Sequence, residues 1–206
     1  MFVAVEGIEG SGKSTLLADL AERLRSDGHD VVVTREPGGT PAGDAIREIF
    51  LNRSIAIAPL TESMLVNAAR VQHLRDVVRP ALGAGKIVLC DRFTDSTLAY
   101  QGYGRGADLE SLRAVCAIAT GGLDPDLVLV LDVPVSAARA RLRARSATMD
   151  RIEAEDDAFH ERVRRGFLEL AAGSPRHRVL DALQPPQRLA QEALHLIDER
   201  LRARTS

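Results

Sequence analysis

The most constraining feature of the chain is the segment Gly-Ile-Glu-Gly-Ser-Gly-Lys-Ser at residues 7–14. It fits the pattern G-x-x-x-x-G-K-[ST], in which backbone N–H groups cradle phosphates, the lysine reaches the terminal phosphates and the hydroxyl binds Mg²⁺. An apolar run of strand length, residues 1–6, precedes it, and residues 15–26 carry apolar side chains at helical spacing. A strand, a phosphate loop and a helix in this order predict an α/β fold that binds polyphosphate at a helix N-terminus.

Length and composition narrow the class of protein. The 206 residues suffice for one α/β domain, and we predict a single domain over residues 1–206. The net charge of −2 and the low aromatic content argue against binding to nucleic acid or to an acidic membrane. Cys90 and Cys116 belong to no C-x-x-C pair, which fits a reduced, cytoplasmic protein better than a disulfide scaffold. Met1 leads directly into a strand, so we expect no signal peptide, and no apolar segment approaches the roughly 20 residues of a transmembrane helix.

Apolar, β-branched runs alternate with helical patterns along the rest of the chain. Further strands are predicted at residues 31–34, 86–90, 127–133 and 178–180. Further helices are predicted at residues 42–51, 60–82, 109–120, 135–145, 156–172 and 187–202. The alternation predicts a P-loop NTPase fold, with a five-stranded parallel sheet and helices on both faces. Because ligands of such sheets bind at the carboxyl ends of the strands, the residues that follow the strands form the candidate site.

Three strands end in residues that suit a nucleotide. Glu9, inside the phosphate loop, could bind a sugar hydroxyl or a hydrated Mg²⁺, or could point to solvent. Residues 34–40, Thr-Arg-Glu-Pro-Gly-Gly-Thr, form either an ordinary turn or a backbone that approaches a ligand closely. Asp91 suits Mg²⁺ or its waters, and Arg92 can clamp a phosphate; the alternative is a surface ion pair between the two.

Two further segments carry arginines with a candidate role. Residues 139–153 are rich in arginine, and residues 146–149 within them lack a helical pattern. We interpret residues of about 143–155 as a lid that closes over the transferred phosphates, against the alternative of a solvated helix end. Arg70, on the helix predicted at 60–82, could reach a base edge, although its spacing suits an ordinary surface arginine nearly as well.

These parts favour phosphoryl transfer to a phosphate acceptor. A hydroxyl acceptor benefits from a base, and the chain has no H-R-D catalytic loop of the protein-kinase type. A nucleoside monophosphate needs cations rather than a base, because its second pKa is about 6. A GTPase-like switch is not supported, since the third strand is not followed by D-x-x-G and no N-K-x-D occurs. A binding protein that has lost catalysis is disfavoured because Lys13, Asp91, Arg92 and Arg151 are all present.

Several distinctive segments follow the phosphate loop: TREPGGT at 34–40, AARVQ at 68–72, DRFTDSTLAYQGYGRG at 91–106, PDLVLVLDV at 125–133 and DRIE at 150–153. With them the chain resembles the bacterial thymidylate kinases, which are P-loop nucleoside monophosphate kinases, from Phe2 to about Leu196. The pattern D-R-[aromatic]-x-x-S-x-x-A-Y-Q-G after TREPGGT is highly specific. The resemblance implies phosphorylation of dTMP to dTDP with ATP as donor and Mg²⁺ as cofactor, a step of dTTP biosynthesis for DNA replication.

The resemblance also implies roles for matching residues. ATP would be bound by Gly7, Ile8, Glu9, Gly10, Ser11, Gly12, Lys13, Ser14 and Thr15. Mg²⁺ would be bound by Ser14 and Asp91. Catalytic roles fall to Lys13, Arg92, Glu9, Arg151 and Arg145, the last two as lid arginines of the bacterial subtype. The dTMP site would comprise Glu9, Arg35, Pro37, Val66, Arg70, Arg92, Ser96, Thr97, Tyr100 and Gln101.

Within the implied dTMP site, the parts of the substrate are divided among particular side chains. Glu9 would contact the deoxyribose 3′-OH, and Arg35 and Arg92 would bind the phosphate. Arg70 would hydrogen-bond the thymine carbonyl edge, while Tyr100 would lie under the sugar and crowd out a ribose 2′-OH.

Two residues depart from the family pattern. Val66, four residues before Arg70, replaces a phenylalanine that stacks on thymine, and loss of the ring is expected to cost ~1 kcal/mol of base affinity. Phe93 stands where tyrosine or histidine is more usual. Val66 keeps open the alternative of a kinase for another deoxynucleoside monophosphate such as dUMP. The resemblance further implies a homodimer, with ATP and dTMP as the small-molecule partners.

Overall fold

Five strands form one parallel sheet, in the spatial order β2–β3–β1–β4–β5. The structure is a computed structural model that describes residues 1–145 and 148–205. The strands are β1 (Phe2–Glu6), β2 (Val31–Arg35), β3 (Ile87–Asp91), β4 (Leu127–Asp132) and β5 (His177–Asp181). The predicted sheet is confirmed, and each strand end lies within one residue of its predicted position.

The three inner strands are almost wholly buried, as continuous apolar runs in a parallel sheet require. Their register decides where the site lies. Arg35 of β2 pairs with Asp91 of β3, and Asp91 pairs with Val5 of β1. The carboxyl ends of β2, β3 and β1 therefore lie side by side, and the side chains that follow them share one edge of the sheet.

Helices cover both faces of the sheet, as predicted. They are α1 (Lys13–Ser26), α2 (Pro41–Leu51), α3 (Pro59–His73), α4 (Arg79–Gly83), α5 (Thr94–Thr97), α6 (Leu109–Thr120), α7 (Val135–Arg145), α8 (Asp157–Ala172) and α9 (Pro186–Thr205). α1 and α9 pack on each other and on the sheet, whereas α8 packs on β4, β5 and the segment Leu98–Gly104, which follows α5. None of the helices in the described ranges is both long and apolar enough to cross a membrane.

Local sequence explains several helix starts. The Thr40 side chain accepts a hydrogen bond from Gly43 N and Pro41 follows it, which is a favourable N-cap and first position for α2. The Asp156 carboxylate caps α8 in the same way, by accepting a hydrogen bond from Phe159 N. These caps fix where α2 and α8 begin, and both helices contribute side chains to the candidate site.

The prediction of a single α-helix over residues 60–82 is wrong for the middle of that range. α3 ends at His73, residues Leu74–Val78 are π-helical, and α4 follows. Pro80 explains the interruption, because it has no N–H to donate and its ring clashes with the carbonyl four residues earlier in an α-helix. The wider π turn just before Pro80 relieves that conflict.

A helical segment after β3 was missed by the sequence analysis. α5 continues as a π-helical segment, Leu98–Gly104. This segment is buried on nearly every side and contains Gly102 and Gly104, so it shows neither a polar face nor a 3.6-residue apolar period. Its burial also explains why polar residues predicted for the site, such as Gln101, point inward.

The predicted lid, residues 143–155, is described only in part. Arg143–Arg145 form the end of α7, and residues 148–155 form turns without regular secondary structure. Ser146 and Ala147 lie outside the described residues. The Arg139 guanidinium donates to the Glu153 carbonyl, which ties α7 to the second half of the lid. Lid movement stays a prediction.

Candidate active site

A cavity of about 400 Å³ opens where β1, β2 and β3 end. Its walls come from the phosphate loop, the residues after β2 and β3, the facing sides of α2 and α3, and the lid. Most residues predicted for the site line it: Glu9, Gly10, Gly12, Lys13, Ser14, Thr15, Arg35, Pro37, Val66, Arg70, Asp91, Arg92, Ser96, Thr97, Tyr100, Gln101 and Arg145. The predicted residues that do not line it are Gly7, Ile8, Ser11 and Arg151.

The phosphate loop is held close to neighbouring backbone. Gly7 has a φ of 137°, and a Cβ atom there would lie 2.6 Å from the Leu131 carbonyl oxygen. Gly10 has a φ of 76°, and a Cβ would lie 2.5 Å from the Ala138 carbonyl oxygen. Side chains would therefore push the loop away from β4 and α7, which explains both glycines. The loop delivers the N-terminus of α1 to the cavity.

Lys13 is buried at the first position of α1. Its Nζ donates to the carbonyl oxygens of Gly7 and Ile8, at 3.1 Å each. Burial, together with the nearby guanidinium of Arg92, lowers the pKa of Lys13 to about 8. An anion bound here would stabilise the ammonium form, because the charge otherwise lies in a poorly solvated place. Gly7 and Ile8 thus contribute backbone to the site, although they do not line the cavity.

The two residues predicted to bind Mg²⁺ are brought together. Ser14 Oγ donates to Asp91 Oδ2 at 3.1 Å, although the residues are 77 positions apart. One hydroxyl and one carboxylate oxygen at the edge of a phosphate site fit Mg²⁺, which prefers oxygen ligands and shares its shell with waters and substrate phosphates.

Arg92 is the centre of the hydrogen-bond network. Its Nη1 donates to the Gly7 carbonyl and to Ser96 Oγ, both at 3.0 Å. Its Nη2 donates to Glu9 Oε1 at 2.7 Å and to the Tyr100 hydroxyl at 3.0 Å. Within the described ranges this leaves Nε–H without a protein acceptor. The backbone of Arg92 has a φ of 75°, a conformation that costs a non-glycine residue of order 1–3 kcal/mol and that the surroundings must impose.

Glu9 faces the cavity as a carboxylate with one oxygen engaged. Oε1 also accepts from the Tyr100 hydroxyl at 2.6 Å, whereas Oε2 is buried and has no hydrogen-bond partner among the described residues. His160 Nδ1 lies 3.5 Å from Oε2, and burial lowers the pKa of His160, which favours its neutral form. Burial raises the pKa of Glu9, but Arg92 and Lys13 outweigh it and hold the pKa below its usual value. Glu9 is therefore ionised, and its buried Oε2 is an acceptor that no hydrogen bond among the described residues uses.

Three guanidinium groups converge at the end of the cavity near β2. Arg35, Arg47 and Arg92 all line it. Arg47 Nη1 donates to the Pro37 carbonyl at 3.0 Å, and burial together with the charges of Arg35 and Arg92 lowers the pKa of Arg47. Arg35 pairs with Asp44 and Arg92 pairs with Glu9, whereas Arg47 has no carboxylate within ion-pair distance among the described residues. The positive charge that remains suits an anion such as a phosphate.

Arg70 is fully buried, and its five N–H groups all find acceptors. The acceptors are Glu36 Oε2 at 2.7 Å, Asn67 Oδ1 at 2.7 Å, Cys116 Sγ at 3.7 Å, the Phe93 carbonyl at 3.0 Å and Thr97 Oγ1 at 3.1 Å. Arg70 nevertheless lines the cavity. A hydrogen bond from Arg70 to a ligand base therefore requires one of these partners to be exchanged.

The apolar walls of the cavity include one ring that the sequence analysis did not consider. Phe50 of α2 and Val66 of α3 line the same cavity, and each is 7% exposed. The Arg151 guanidinium lies over the Phe50 ring, 5.0 Å from its centroid. The ring is thus fixed from one side by a cation and borders the cavity in the region of Val66.

The two lid arginines are placed differently. Arg145 lines the cavity, its side chain is 64% exposed, and it pairs with Glu153. Arg151 is 12% exposed and pairs with the buried carboxylate of Glu62, while its Nε donates to the Phe50 carbonyl at 2.8 Å. In this arrangement Arg145 faces the cavity and Arg151 fastens the lid to α2 and α3.

Several residues at the site were missed by the sequence analysis. They are Glu6, Arg47, Phe50, Arg141 and His160. Arg141 is the one with a usable sequence signal, since it belongs to the arginine-rich segment; it lines the cavity and donates to the Ala182 carbonyl at 2.7 Å. The others sit on predicted elements whose orientation decides their role.

Comparisons with known proteins agree on one family. The family described as thymidylate kinase matches residues 5–193. A thymidylate kinase of Desulfovibrio desulfuricans is 51% identical over 99% of this chain and 98% of its own length, and one of Deinococcus radiodurans is 50% identical over 97% of each. The crystal structure of a thymidylate kinase from Ehrlichia chaffeensis superposes with a TM-score of 0.77 at 33% identity, over 96% of this chain and 98% of that one.

Proposed function

From the premise that this chain belongs to the thymidylate kinase family, we propose how its residues divide the work of the reaction. The chain is an ATP-dependent nucleoside monophosphate kinase that phosphorylates dTMP to dTDP. No observation favours the alternative substrate dUMP. The product feeds dTTP synthesis for DNA replication, and we infer that the enzyme is cytoplasmic and forms a single kinase domain.

The observation that carries the assignment is the convergence of cations at one cavity. Lys13 lies at the phosphate loop, and Arg35, Arg47 and Arg92 lie at the end of the cavity near β2. Phosphoryl transfer to a phosphate acceptor depends mainly on holding two polyanions in line and neutralising their charge. We assign the ATP phosphates to the loop and Lys13, and the dTMP phosphate to the arginine cluster.

The dTMP nucleoside would lie between α3 and the α5 segment. The Glu9 carboxylate has a free acceptor for the deoxyribose 3′-OH, and Tyr100, bonded to Glu9, would support the sugar. Thr97 and Gln101 line the same region together with Val66 and the fully bonded Arg70. No base is required, because the acceptor oxygen of a monophosphate is mostly ionised at neutral pH.

Mg²⁺ would be held by Ser14 and Asp91, whose oxygens already lie at hydrogen-bond distance. When bound, it would supply positive charge that offsets the negative charge developing during transfer. Arg145 is assigned to the same task from the lid side, since it lines the cavity.

The test is a coupled ADP-release assay with ATP and Mg²⁺, run on dTMP, dUMP, dCMP, AMP, GMP and UMP. Turnover should be highest on dTMP. Lys13→Ala and Arg92→Ala should each lower kcat/KM at least ~100-fold, the scale of losing one transition-state charge contact. Arg25→Ala, at the far end of α1, is the matched control and should leave turnover unchanged. Normal turnover in either site variant would remove the role assigned to it.

We also infer a homodimer that forms through α3 and α6. These adjoining helices expose large apolar side chains: Leu60 is 62% exposed, Met64 50%, Val71 51% and Ile118 83%. Such a cluster favours an interface over isolated surface residues. Sedimentation should report a dimer that Ile118→Glu dissociates, whereas Val179→Glu, on the exposed edge strand β5, should not change it. A monomeric wild-type protein at micromolar concentration would contradict the proposal.

A further inference from the structure

Glu6 is a buried carboxylate to which the phosphate-loop motif assigns no role. It is the last residue of β1, directly before the loop, and it is 0% exposed. Burying a carboxylate is costly unless its oxygens are hydrogen-bonded. A carboxylate in this place therefore needs hydrogen-bond donors, and the identity of these donors indicates its role.

All of the hydrogen bonds that Glu6 accepts come from the segment after β3. Oε1 accepts from Phe93 N at 2.7 Å and from Ser96 N at 3.3 Å. Oε2 accepts from Ser96 Oγ at 2.6 Å. Within the described ranges, no lysine or arginine forms an ion pair with Glu6. The carboxylate of Glu6 thus binds two backbone N–H groups, of Phe93 and Ser96, and the Ser96 hydroxyl.

This hydrogen-bond set continues to Arg92. Ser96 Oγ, which donates to Glu6, accepts from Arg92 Nη1 at 3.0 Å. Arg92 has a positive φ, so hydrogen bonds on both sides of it must hold its backbone in a strained conformation. One of those bonds is donated by Phe93 N, the next amide along the chain, to Glu6 Oε1.

We propose that Glu6 is a positioning residue for the acceptor-phosphate site: through Phe93 N and the Ser96 hydroxyl it holds Arg92 in the orientation that binds the phosphate of dTMP. The inference rests on the proposed role of Arg92. Glu6 itself touches neither substrate nor metal, so its effect should appear only in interactions that Arg92 makes.

The surroundings of Glu6 hold its carboxyl group in a fixed position and act on its charge in opposite directions. Asp95 of α5 faces it, Lys13 of α1 and Arg92 act on it electrostatically, and His177 of β5 bonds to Asp95 at 2.6 Å. Burial, followed by the charge of Asp95, raises the pKa of Glu6 to about 7, while Arg92, Ser96 and Phe93 favour the ionised form. Glu6, Asp95 and His177 also line a second cavity of about 200 Å³.

The test compares binding of dTMP with binding of thymidine, which lacks the phosphate, by calorimetry. Glu6→Gln keeps an oxygen for Phe93 N but cannot accept from the Ser96 hydroxyl. It should weaken dTMP binding at least ~5-fold and leave thymidine binding and the KM for ATP within about twofold, since a hydrogen bond to a charged group is lost. Glu6→Ala should weaken dTMP binding further. Ser96→Ala removes the relay together with a side chain that lines the cavity, so its effect should be at least as large as that of Glu6→Gln, and the two effects should not add.

Asp126→Asn is the matched control, because Asp126 Oδ2 anchors the other end of β1 by accepting from Phe2 N at 2.7 Å. It should leave dTMP and thymidine binding alike. Equal weakening of dTMP and thymidine in Glu6→Gln, or additive effects of Glu6→Gln and Ser96→Ala, would overturn the inference. Arg92→Lys separates it from the proposed function: if that variant binds dTMP normally, the role of Arg92 fails. If Arg92→Lys loses dTMP while Glu6→Gln does not, only the inference about Glu6 fails.

Discussion

Replacing the two lid arginines one at a time separates a catalytic cation from a structural one. Both arginines are implied in catalysis by the family resemblance, but only Arg145 lines the cavity. Arg145→Ala should lower kcat about 100-fold, as expected when a charge contact made in the transition state is lost. Its side chain is 64% exposed, so the free energy of unfolding should change by less than about 0.5 kcal/mol.

Arg151→Ala should act mainly on stability. It removes an ion pair with Glu62, whose side chain is 1% exposed. Breaking a buried pair costs about 3–5 kcal/mol when the partner is left uncompensated. Glu62 keeps Arg105 Nη2 at 3.2 Å and Gln101 Nε2 at 3.0 Å, so we expect a smaller loss, roughly 2 kcal/mol. For a chain of this size that loss lowers Tm by about 4–8 °C.

The assay is steady-state ADP release at saturating ATP and dTMP, paired with thermal unfolding of the same preparations. Arg143→Ala is the control, because Arg143 is exposed near the end of the same helix and does not line the cavity. We expect a loss of kcat with normal Tm for Arg145→Ala, and a lowered Tm with kcat within about tenfold for Arg151→Ala. A 100-fold loss of kcat with an unchanged Tm in Arg151→Ala would refute the reasoning. Arg151 would then have to leave Glu62 and reach the phosphates during turnover.

Three further perturbations test other parts of the site. Phe50→Leu should raise the KM for dTMP about fivefold, because an aromatic ring that borders the base region is lost, and adding Val66→Phe should restore the original KM. Steady-state kinetics of the single and double variants check this. An unchanged KM in Phe50→Leu would exclude contact between Phe50 and the base. Asp91→Ala should raise the Mg²⁺ concentration needed for half-maximal turnover at least tenfold, measured by titration at fixed ATP; an unchanged requirement would place the metal elsewhere. Because burial and Asp95 raise the folded-state pKa of Glu6 from 4.5 to about 7, the folded state binds the proton more tightly than the unfolded chain. The free energy of unfolding should therefore fall through this group as the pH rises from about 4.5 to about 7, and denaturant titrations should show no such contribution in Glu6→Gln.

The sequence predicts the site best where function depends on the ends of strands. The register of a parallel sheet brings Asp91 next to β1 and Arg35 next to Asp91, whatever the helices do. Residues placed by helix orientation are harder to find. Arg47 and Phe50 reach the cavity because α2 packs on α3 with one particular side inward, and α2 carries no motif that marks this side.

The ion pairs between buried side chains could not be predicted from the sequence either. Arg151 and Glu62 are 89 residues apart, and nothing local in either segment favours that pair over a contact with phosphate. No helix was predicted for residues 94–104 for another reason: a helix that is buried on nearly every side shows no 3.6-residue apolar period in its sequence.

The saturated state of Arg70 bears on how the base is recognised. The two acceptors of Nη1, Asn67 Oδ1 and Cys116 Sγ, belong to residues that do not line the cavity. The two acceptors of Nη2, the Phe93 carbonyl and Thr97 Oγ1, belong to residues that do line it. A thymine carbonyl would therefore meet Nη2 and take the place of one of these acceptors, which leaves the bond to Glu36 intact. Arg70 can therefore serve both the packing of α3 and the base edge. Discrimination between thymine and uracil must then depend on the apolar walls formed by Phe50 and Val66, because the two bases offer Arg70 the same carbonyl oxygens and differ only by a methyl group.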